Sequence, residues 1–212
     1  MATTGVPSSG VVNAGTSQNG IAMDAHEELK QIIMEKSILR GEGGYILASG
    51  AWSPYYFDLK LTTLSDPRAL ELAAQGVLEL IKQLGEQVDA VGGLTSGADP
   101  LVVGTSLAAL KVGMRLPGFF VREMPKNHGT ERVIEGTVYP GMNVVIVDDV
   151  ITKGTSVLKA IRGAEEAGAR VLATIILVDR EEGGVKFLTD KGYKVLPMFT
   201  YGELMAGGAS AE

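Results

Sequence analysis

The amino-acid sequence predicts a doubly wound α/β domain, in which a mostly parallel sheet is flanked by helices. Residues 144–147 and 171–178 are continuous apolar runs rich in Val and Ile, which is typical of strands buried on both faces of a parallel sheet. Residues 70–84 instead repeat apolar side chains at the 3.6-residue period of a helix. Strand-like and helix-like segments alternate along the chain, and this alternation favours the α/β class.

The composition limits the classes of protein to be considered. The chain has 212 residues, enough for one domain with a sizeable core, and 45% of them are hydrophobic. It has no cysteine, so disulfides and cysteine-based metal sites are excluded. A net charge of −6 argues against broad binding to nucleic acids or anionic membranes. Because no run is long enough to span a membrane and the first residues do not resemble a secretory signal, we expect a cytoplasmic protein.

The first part of the chain is predicted to be a tail followed by a helix. Residues 1–22 are rich in small and polar residues without periodicity, so we expect a disordered tail. Asp24 and Glu27 have the spacing of a capping box and predict a helix over 24–38. The glycine-rich residues 41–44 are expected to break it, and residues 45–47 to form a short strand.

Residues 48–60 contain an aromatic cluster that allows two interpretations. Trp52, Tyr55, Tyr56 and Phe57 lie close together in this segment. They could form a hydrophobic hairpin that packs on the core. They could also provide a lid or a stacking surface for a flat ligand.

The core elements are predicted from their periodicity and from their turn residues. Asp66 and Pro67 start the helix over 67–84, since proline is favoured in the first turn. A glycine-rich turn over 92–100 separates the next strand and helix. The remaining elements are predicted as a strand over 88–91, a helix over 101–110, a strand over 119–121, helices over 157–168 and 187–191, and a final strand over 195–200.

Residues 143–156, NVVIVDDVITKGTS, combine groups for sugar hydroxyls and for an anion. Asp148 and Asp149 follow the apolar strand, at the carboxyl edge where open α/β sheets bind ligands. The small-residue turn after them offers hydroxyls and backbone N–H groups at the start of a helix, which suits a phosphate. This turn consists of Thr152, Lys153, Gly154, Thr155 and Ser156.

Cationic side chains gather in two further places. The polar loop over 123–136 and the residue before it carry Arg122, Lys126, His128 and Arg132 in an otherwise acidic chain. A loop of this length is either solvated or functional. Arg180 follows the strand over 171–178, where it could bind a carboxylate through two hydrogen bonds or form a surface salt bridge.

Several common sites lack their sequence motifs. There is no G-x-x-x-x-G-K-[ST] loop for a nucleoside triphosphate and no G-x-G-x-x-G after a strand for a dinucleotide. A G-x-S-x-G nucleophile elbow is also missing. With two histidines and no cysteine, a zinc site is not expected.

The segment VVIVDDVITKGTS resembles the phosphoribosyl-pyrophosphate (PRPP) binding signature of the type I phosphoribosyltransferases. Three other segments resemble those of the orotate phosphoribosyltransferases within that family. SGAWSPYYFDLK is similar to their N-terminal hood, VREMPKNHGTERVIEG to their mobile catalytic loop, and LVDREEGG to the segment with an orotate-contacting arginine. The resemblance implies the type I phosphoribosyltransferase fold, with a helix and small hood over 23–65 and a PRPP-binding core over 66–205.

The resemblance also implies an activity and the residues that perform it. The expected reaction transfers the phosphoribosyl group of PRPP to orotate, with Mg²⁺ held mainly through PRPP rather than by protein ligands. The expected assembly is a homodimer whose catalytic loop is shared across subunits. The implied catalytic residues are Lys126, His128, Asp148 and Asp149. The implied PRPP-binding residues are Thr95, Ser96, Arg122, Lys126, His128, Asp148, Asp149, Val150, Ile151, Thr152, Lys153, Gly154, Thr155 and Ser156, and the implied orotate-binding residues are Tyr56, Phe57, Thr152 and Arg180.

The sequence departs from the family pattern where many relatives have a basic residue. Ala48, Ser96 and Glu123 stand at these three positions. Their replacement is expected to weaken PRPP binding unless Lys60, Lys153 or Arg132 compensates. Two alternatives remain at this point: a type I phosphoribosyltransferase for another base, and a non-catalytic regulator that binds PRPP.

Overall fold

The computed structural model describes residues 24–46, 52–123 and 133–207. Within these ranges a six-stranded sheet is covered by helices on both faces, and a separate two-stranded hairpin precedes it. None of the helices in these ranges is both long and apolar enough to cross a membrane. The elements are α1 (Ala25–Ser37), β1 (Ile38–Ile46), β2 (Trp52–Phe57), α2 (Lys60–Thr63), α3 (Pro67–Gln83), β3 (Ala90–Leu94), α4 (Asp99–Lys111), β4 (Gly118–Val121), β5 (Ile134–Gly136), β6 (Asn143–Ile151), α5 (Thr155–Glu166), β7 (Arg170–Asp179), α6 (Gly184–Thr189), β8 (Val195–Thr200) and α7 (Tyr201–Gly207).

The six-stranded sheet has a topological switch point between β3 and β6. The strand order is β5-β4-β3-β6-β7-β8, and all neighbouring pairs are parallel except β4 and β5. From β3 the chain builds outward to β4 and β5, and it then returns to place β6 on the other side of β3. The carboxyl ends of β3 and β6 therefore border the crevice in which sheets of this class bind ligands.

The sheet separates two hydrophobic layers. Val145 and Val147 of β6 pack with α1, α3 and α4, whereas Val144 and Ile146 pack with α5 and α6. All four side chains are fully buried. Successive strand residues point to opposite faces of the sheet, so a strand covered on both faces buries every side chain. The predicted doubly wound α/β class is confirmed.

The hairpin of β1 and β2, here called the hood hairpin, is attached to the core through α1. The Asp58 N–H donates a 2.9 Å hydrogen bond to the Ser37 carbonyl, and Arg68 of α3 forms a 2.7 Å ion pair with Glu28 of α1. The helix predicted over 24–38 is observed as Ala25–Ser37, and residues 41–44, which were expected to break it, lie inside β1. The pairing with β2 shifts register between Arg40 and Tyr45, so the glycines form an irregular part of the strand. The division of the chain at residue 65 stays a prediction.

The two glycines at the end of β3 belong to the strand and not to the predicted turn. A Cβ atom at Gly92 would lie 2.4 Å from the Phe119 ring, and one at Gly93 would lie 2.3 Å from the Val147 carbonyl oxygen. These glycines are therefore required by close packing inside the sheet. Asp148 and Asp149 likewise lie within β6, although the sequence placed them after the strand.

Candidate active site

Asp148 and Asp149, here called the acid pair, lie buried at the switch point. Their residues are only 7% and 5% exposed. The Asp149 N–H donates to Asp148 Oδ1 at 3.0 Å, and the Val150 N–H donates to Asp149 Oδ1 at 2.8 Å. A Cβ at Gly97 would lie 3.0 Å from Asp148 Oδ1 and 2.7 Å from Asp149 Oδ1. The turn after β3, which contains Thr95 and Ser96, is therefore packed directly against both carboxylates.

The protonation of the acid pair is governed by burial. Burial raises the pKa of Asp148 well above its usual value, and the negative charge of Asp149 raises it further. Burial also raises the pKa of Asp149, while the hydrogen bond from the Val150 N–H opposes that rise. The positive charge of Lys60, the first residue of α2, acts to lower the pKa of both carboxyls. Lys60 is one of the three cations that the sequence analysis named as possible replacements for the absent basic residues. Its charge acts on the acid pair.

The predicted phosphate turn, residues 152–156, joins β6 to the first turn of α5. Gly154 has φ +78°, and a Cβ there would lie 3.0 Å from the Gly184 carbonyl oxygen, so the position requires glycine for both reasons. A small cavity of about 40 Å³ opens at the turn. It is lined by Val150, Ile151, Thr152, Gly154, Thr155, Ser156 and Val157. Backbone N–H groups at the start of this 12-residue helix suit an anion.

Val150 and Ile151, which were predicted to bind PRPP, have side chains that pack in the hydrophobic layers. Their backbone groups hold neighbouring residues of the site, and binding of PRPP by Val150 and Ile151 stays a prediction. The Val150 N–H holds Asp149, and the Ile151 carbonyl accepts a 3.0 Å hydrogen bond from the Arg180 N–H. The second of these bonds places Arg180 beside the phosphate turn.

Arg180 carries an unsatisfied hydrogen-bond donor. Its side chain is 18% exposed, and its Nε is buried without a hydrogen-bond partner among the residues that the structure describes. The guanidinium carbon lies 5.3 Å from the centre of the Phe57 ring, and Nη2 lies 3.4 Å from Glu182 Oε1. Glu182 also receives a 3.1 Å hydrogen bond from Lys153 Nζ at its carbonyl oxygen. The structure therefore brings together two of the predicted base-binding residues, Phe57 and Arg180.

Tyr56, one of the four predicted base-binding residues, lies on the other face of the hood hairpin. Successive strand residues point to opposite faces, so Tyr56 and Phe57 diverge. The Tyr56 ring is paired with Tyr45 of β1 at 5.6 Å. A role for Tyr56 in binding the base stays a prediction.

The predicted cations after β4 are only partly described. Arg122 forms a 2.8 Å ion pair with Glu135 of β5, and Glu123 forms a 3.0 Å ion pair with Lys159 of α5. Lys126, His128 and Arg132 lie outside the described residues, as does Ala48. Their predicted places in the site stay predictions.

The residues present fit a magnesium ion that is held mainly by its substrate. In the parts of the chain that the structure describes, no three His, Asp or Glu side chains are grouped so that they could hold a metal ion. Mg²⁺ usually keeps several waters and takes only one or two carboxylates together with substrate phosphates. The acid pair beside the phosphate turn provides this kind of donor set.

Tyr201 and Glu181 also belong to this region, although no role was predicted for them. The Tyr201 ring centre lies 5.3 Å from the Arg180 guanidinium carbon, and Glu181 Oε2 accepts a 2.7 Å hydrogen bond from the Gly202 N–H. The one available sequence signal was an aromatic residue directly after the last predicted strand, at the same sheet edge as Arg180.

Comparison with known proteins agrees with this geometry. The phosphoribosyl transferase domain model matches residues 62–196. The orotate phosphoribosyltransferase of Aquifex aeolicus is 38% identical over 180 residues, which cover 84% of this chain and 97% of that protein. This chain belongs to the orotate phosphoribosyltransferase family. The predicted family is confirmed.

Solved structures of the family have the same fold. A crystal structure of Mycobacterium tuberculosis orotate phosphoribosyltransferase with Fe(III) dicitrate has a TM-score of 0.76 and 31% identity, covering 85% of this chain and 99% of the other. Another structure of that protein, in complex with PRPP, has a TM-score of 0.72 and 28% identity, covering 86% and 99%. The predicted type I phosphoribosyltransferase fold is confirmed.

Proposed function

We propose that this protein transfers the 5-phosphoribosyl group from PRPP to orotate, giving orotidine 5′-monophosphate and pyrophosphate in de novo UMP biosynthesis. The observation that carries the proposal is the arrangement at the switch point. A buried acid pair, a phosphate turn and an arginine with an unsatisfied buried donor share one edge of the sheet. These groups match the ribose hydroxyls, the 5′-phosphate and the orotate carboxylate of one ternary complex.

The electrostatics of the site suit this transfer. The bond from the ribose anomeric carbon to pyrophosphate breaks and a bond to the orotate nitrogen forms, so positive charge develops on the ribose and negative charge on the leaving group. Asp148 and Asp149 accept hydrogen bonds from the ribose hydroxyls and stabilise the positive charge. The N–H groups of the phosphate turn bind the 5′-phosphate. Mg²⁺, held mainly through PRPP beside Asp148 and Asp149, would neutralise part of the leaving group's charge.

The proposed cations for pyrophosphate come from the segment after β4. Lys126 and His128 place positive charge beside the leaving group. Arg122 leaves its ion pair with Glu135 and binds the diphosphate. Closure of this segment excludes water, which would otherwise compete with the orotate nitrogen. Lys60, whose charge favours the ionised acid pair, compensates for part of the charge lost at Ala48 and Ser96.

The proposed assembly is a homodimer formed through α4. Val103, Leu107 and Leu110 lie on one face of α4 at i, i+4 and i+7, and Leu107 and Leu110 are 57% and 64% exposed. A contiguous exposed apolar face of this kind marks an interface. Since α4 begins directly after the turn that packs on the acid pair, a second copy on this face lies beside the site. It can therefore contribute its own residues 124–132. The proposed location of the dimer is the cytoplasm.

The experiment that tests the proposed reaction is the loss of near-ultraviolet absorbance of orotate when PRPP and Mg²⁺ are added. We expect the absorbance to fall with enzyme concentration and with pyrophosphate as the second product. No change at high enzyme concentration would contradict the proposal.

A second candidate is transfer to a different base. The unsatisfied Nε of Arg180 favours a base that carries a carboxylate, which purines lack. Parallel assays with orotate, uracil, adenine, guanine and hypoxanthine distinguish the two candidates. Tight PRPP binding without turnover of any base would instead indicate a regulator.

A further inference from the structure

The end of β8 and the first turn of α7 lie next to Arg180. Asp179 of β7 pairs in register with Thr200 of β8. Arg180 and Tyr201 therefore follow their strands at the same level of the sheet edge. This places Tyr201 in the same crevice as the predicted base-binding residues.

The guanidinium of Arg180 lies near two aromatic rings that are also close to each other. Its Cζ is 5.3 Å from the ring centre of Phe57 and 5.3 Å from that of Tyr201. The two rings are 6.2 Å apart with an angle of 86° between their planes. Both distances are within the range of cation–π attraction, so each ring restricts the guanidinium. Nη2 of the guanidinium lies 3.4 Å from Glu182 Oε1, whereas Nε is a buried donor without a partner in the described part of the chain.

The backbone on both sides of Tyr201 is held in place by two sets of hydrogen bonds. Glu181 accepts a 2.7 Å bond from the Gly202 N–H, which joins the loop of Arg180 to the first turn of α7. Thr200 and Glu203 form a reciprocal cap, in which the Thr200 N–H donates to Glu203 Oε2 at 2.8 Å and the Glu203 N–H donates to Thr200 Oγ1 at 3.2 Å. A ring carried on a restricted backbone orients its neighbour at a lower entropic cost than one on a mobile backbone.

We propose that Tyr201 is a positioning residue for the pyrimidine base, acting through Arg180. With Phe57 it restricts the position of the guanidinium so that Nε is available to the carboxylate of the incoming base. This inference rests on the proposed function and extends it, because it assigns a segment after the last strand to base recognition. The aromatic ring provides the effect and the Tyr201 hydroxyl does not.

The test compares the steady-state kinetics of Tyr201→Leu, Tyr201→Phe and the wild type, with orotate and PRPP varied separately. We expect Tyr201→Leu to raise the KM for orotate roughly five- to tenfold, which corresponds to the loss of one cation–π contact. The KM for PRPP should change by less than about twofold, because we assign the Tyr201 ring to binding of the base and not to binding of PRPP. Tyr201→Phe should restore the orotate KM to within about twofold of wild type, because it keeps the ring. Tyr139→Leu, which removes an exposed tyrosine ring elsewhere, is the control.

The outcomes separate this inference from the function on which it rests. An inactive wild type would count against the proposed reaction itself. If the wild type is active, an unchanged orotate KM in Tyr201→Leu would refute the role of Tyr201. Equal increases in both KM values, or a Phe variant that behaves like the Leu variant, would refute it as well, because the role would then be general folding or hydroxyl chemistry.

Discussion

The negative charge of Asp148, which the proposed reaction needs, is expected to destabilise the folded protein. Its carboxyl is buried next to Asp149, so its pKa is raised and the folded state favours the protonated form. Between the pKa of the unfolded chain and that of the folded protein, the folded state binds more protons, and stability therefore falls as the pH rises. Below this window Asp148 is neutral in both states and carries no such cost.

We therefore predict that Asp148→Asn stabilises the protein at pH 8 and inactivates it. Asparagine retains an oxygen that can accept from the Asp149 N–H but removes the buried charge. The melting temperature at pH 8 should rise by about 2–4 °C, corresponding to roughly 1 kcal/mol, and by much less at pH 4. The kcat should fall at least about a hundredfold. Asp190→Asn, at an exposed aspartate, is the control and should change neither quantity. A larger stabilisation at pH 4 than at pH 8 would contradict the electrostatic account.

At the same scale, the sequence predicts residue types well and side-chain directions poorly. The acid pair and Arg180 could be predicted because charged residues at the ends of apolar strands converge on one edge of a parallel sheet. The divergence of Tyr56 and Phe57 depends on which face of the hairpin meets the core, and two adjacent aromatic residues do not reveal this. Tyr201 was missed because its partner, Arg180, is 21 residues away in the chain and becomes its neighbour only through the pairing of β7 and β8.

At the scale of elements, the turn after β3 leaves room for the two carboxylates of the acid pair because Gly97 has no side chain. We predict that Gly97→Ala raises the KM for PRPP about tenfold, because its Cβ would lie 2.7 Å from Asp149 Oδ1 and would displace that carboxylate. The KM for orotate should change much less. Gly76→Ala is a matched control on α3, since its Cβ would meet only the mobile end of the Met198 side chain. Similar kinetics for the two variants would show that the turn does not position the carboxylates.

Element boundaries were predicted well where the hydrophobic periodicity is strong. They were predicted badly at glycines, which occur both in turns and at close-packed positions in strands. The helix predicted over 67–84 is observed as Pro67–Gln83, since Asp66 accepts hydrogen bonds from the N–H groups of Arg68 and Ala69 at its start. Gly92 and Gly93 were assigned to a turn because glycine favours turns, but the packing of Phe119 and β6 against β3 also requires glycine. The three-residue strand β5 was missed because its pairing with β4 is not encoded in a hydrophobic pattern.

At the scale of the whole molecule, the proposed dimer predicts that two inactive variants restore activity when mixed. Lys126→Ala removes the proposed loop cation and Asp148→Asn removes a proposed ribose ligand, so each homodimer should be nearly inactive. In a mixed dimer, one site combines the intact loop of one subunit with the intact acid pair of the other. Random exchange makes half of the dimers mixed, each with one of two sites competent, so about a quarter of the wild-type activity should return.

A loop that serves its own subunit gives the opposite result, because each site of a mixed dimer then keeps one defect and mixing restores no activity. The role of α4 is tested in the same experiment by adding Leu107→Glu to both variants, which places charges on the exposed apolar face. Sedimentation should then show monomers with an unchanged circular dichroism spectrum, and complementation should disappear. Dimers that persist with Leu107→Glu would move the proposed interface away from α4, whereas complementation alone decides whether the loop crosses between subunits.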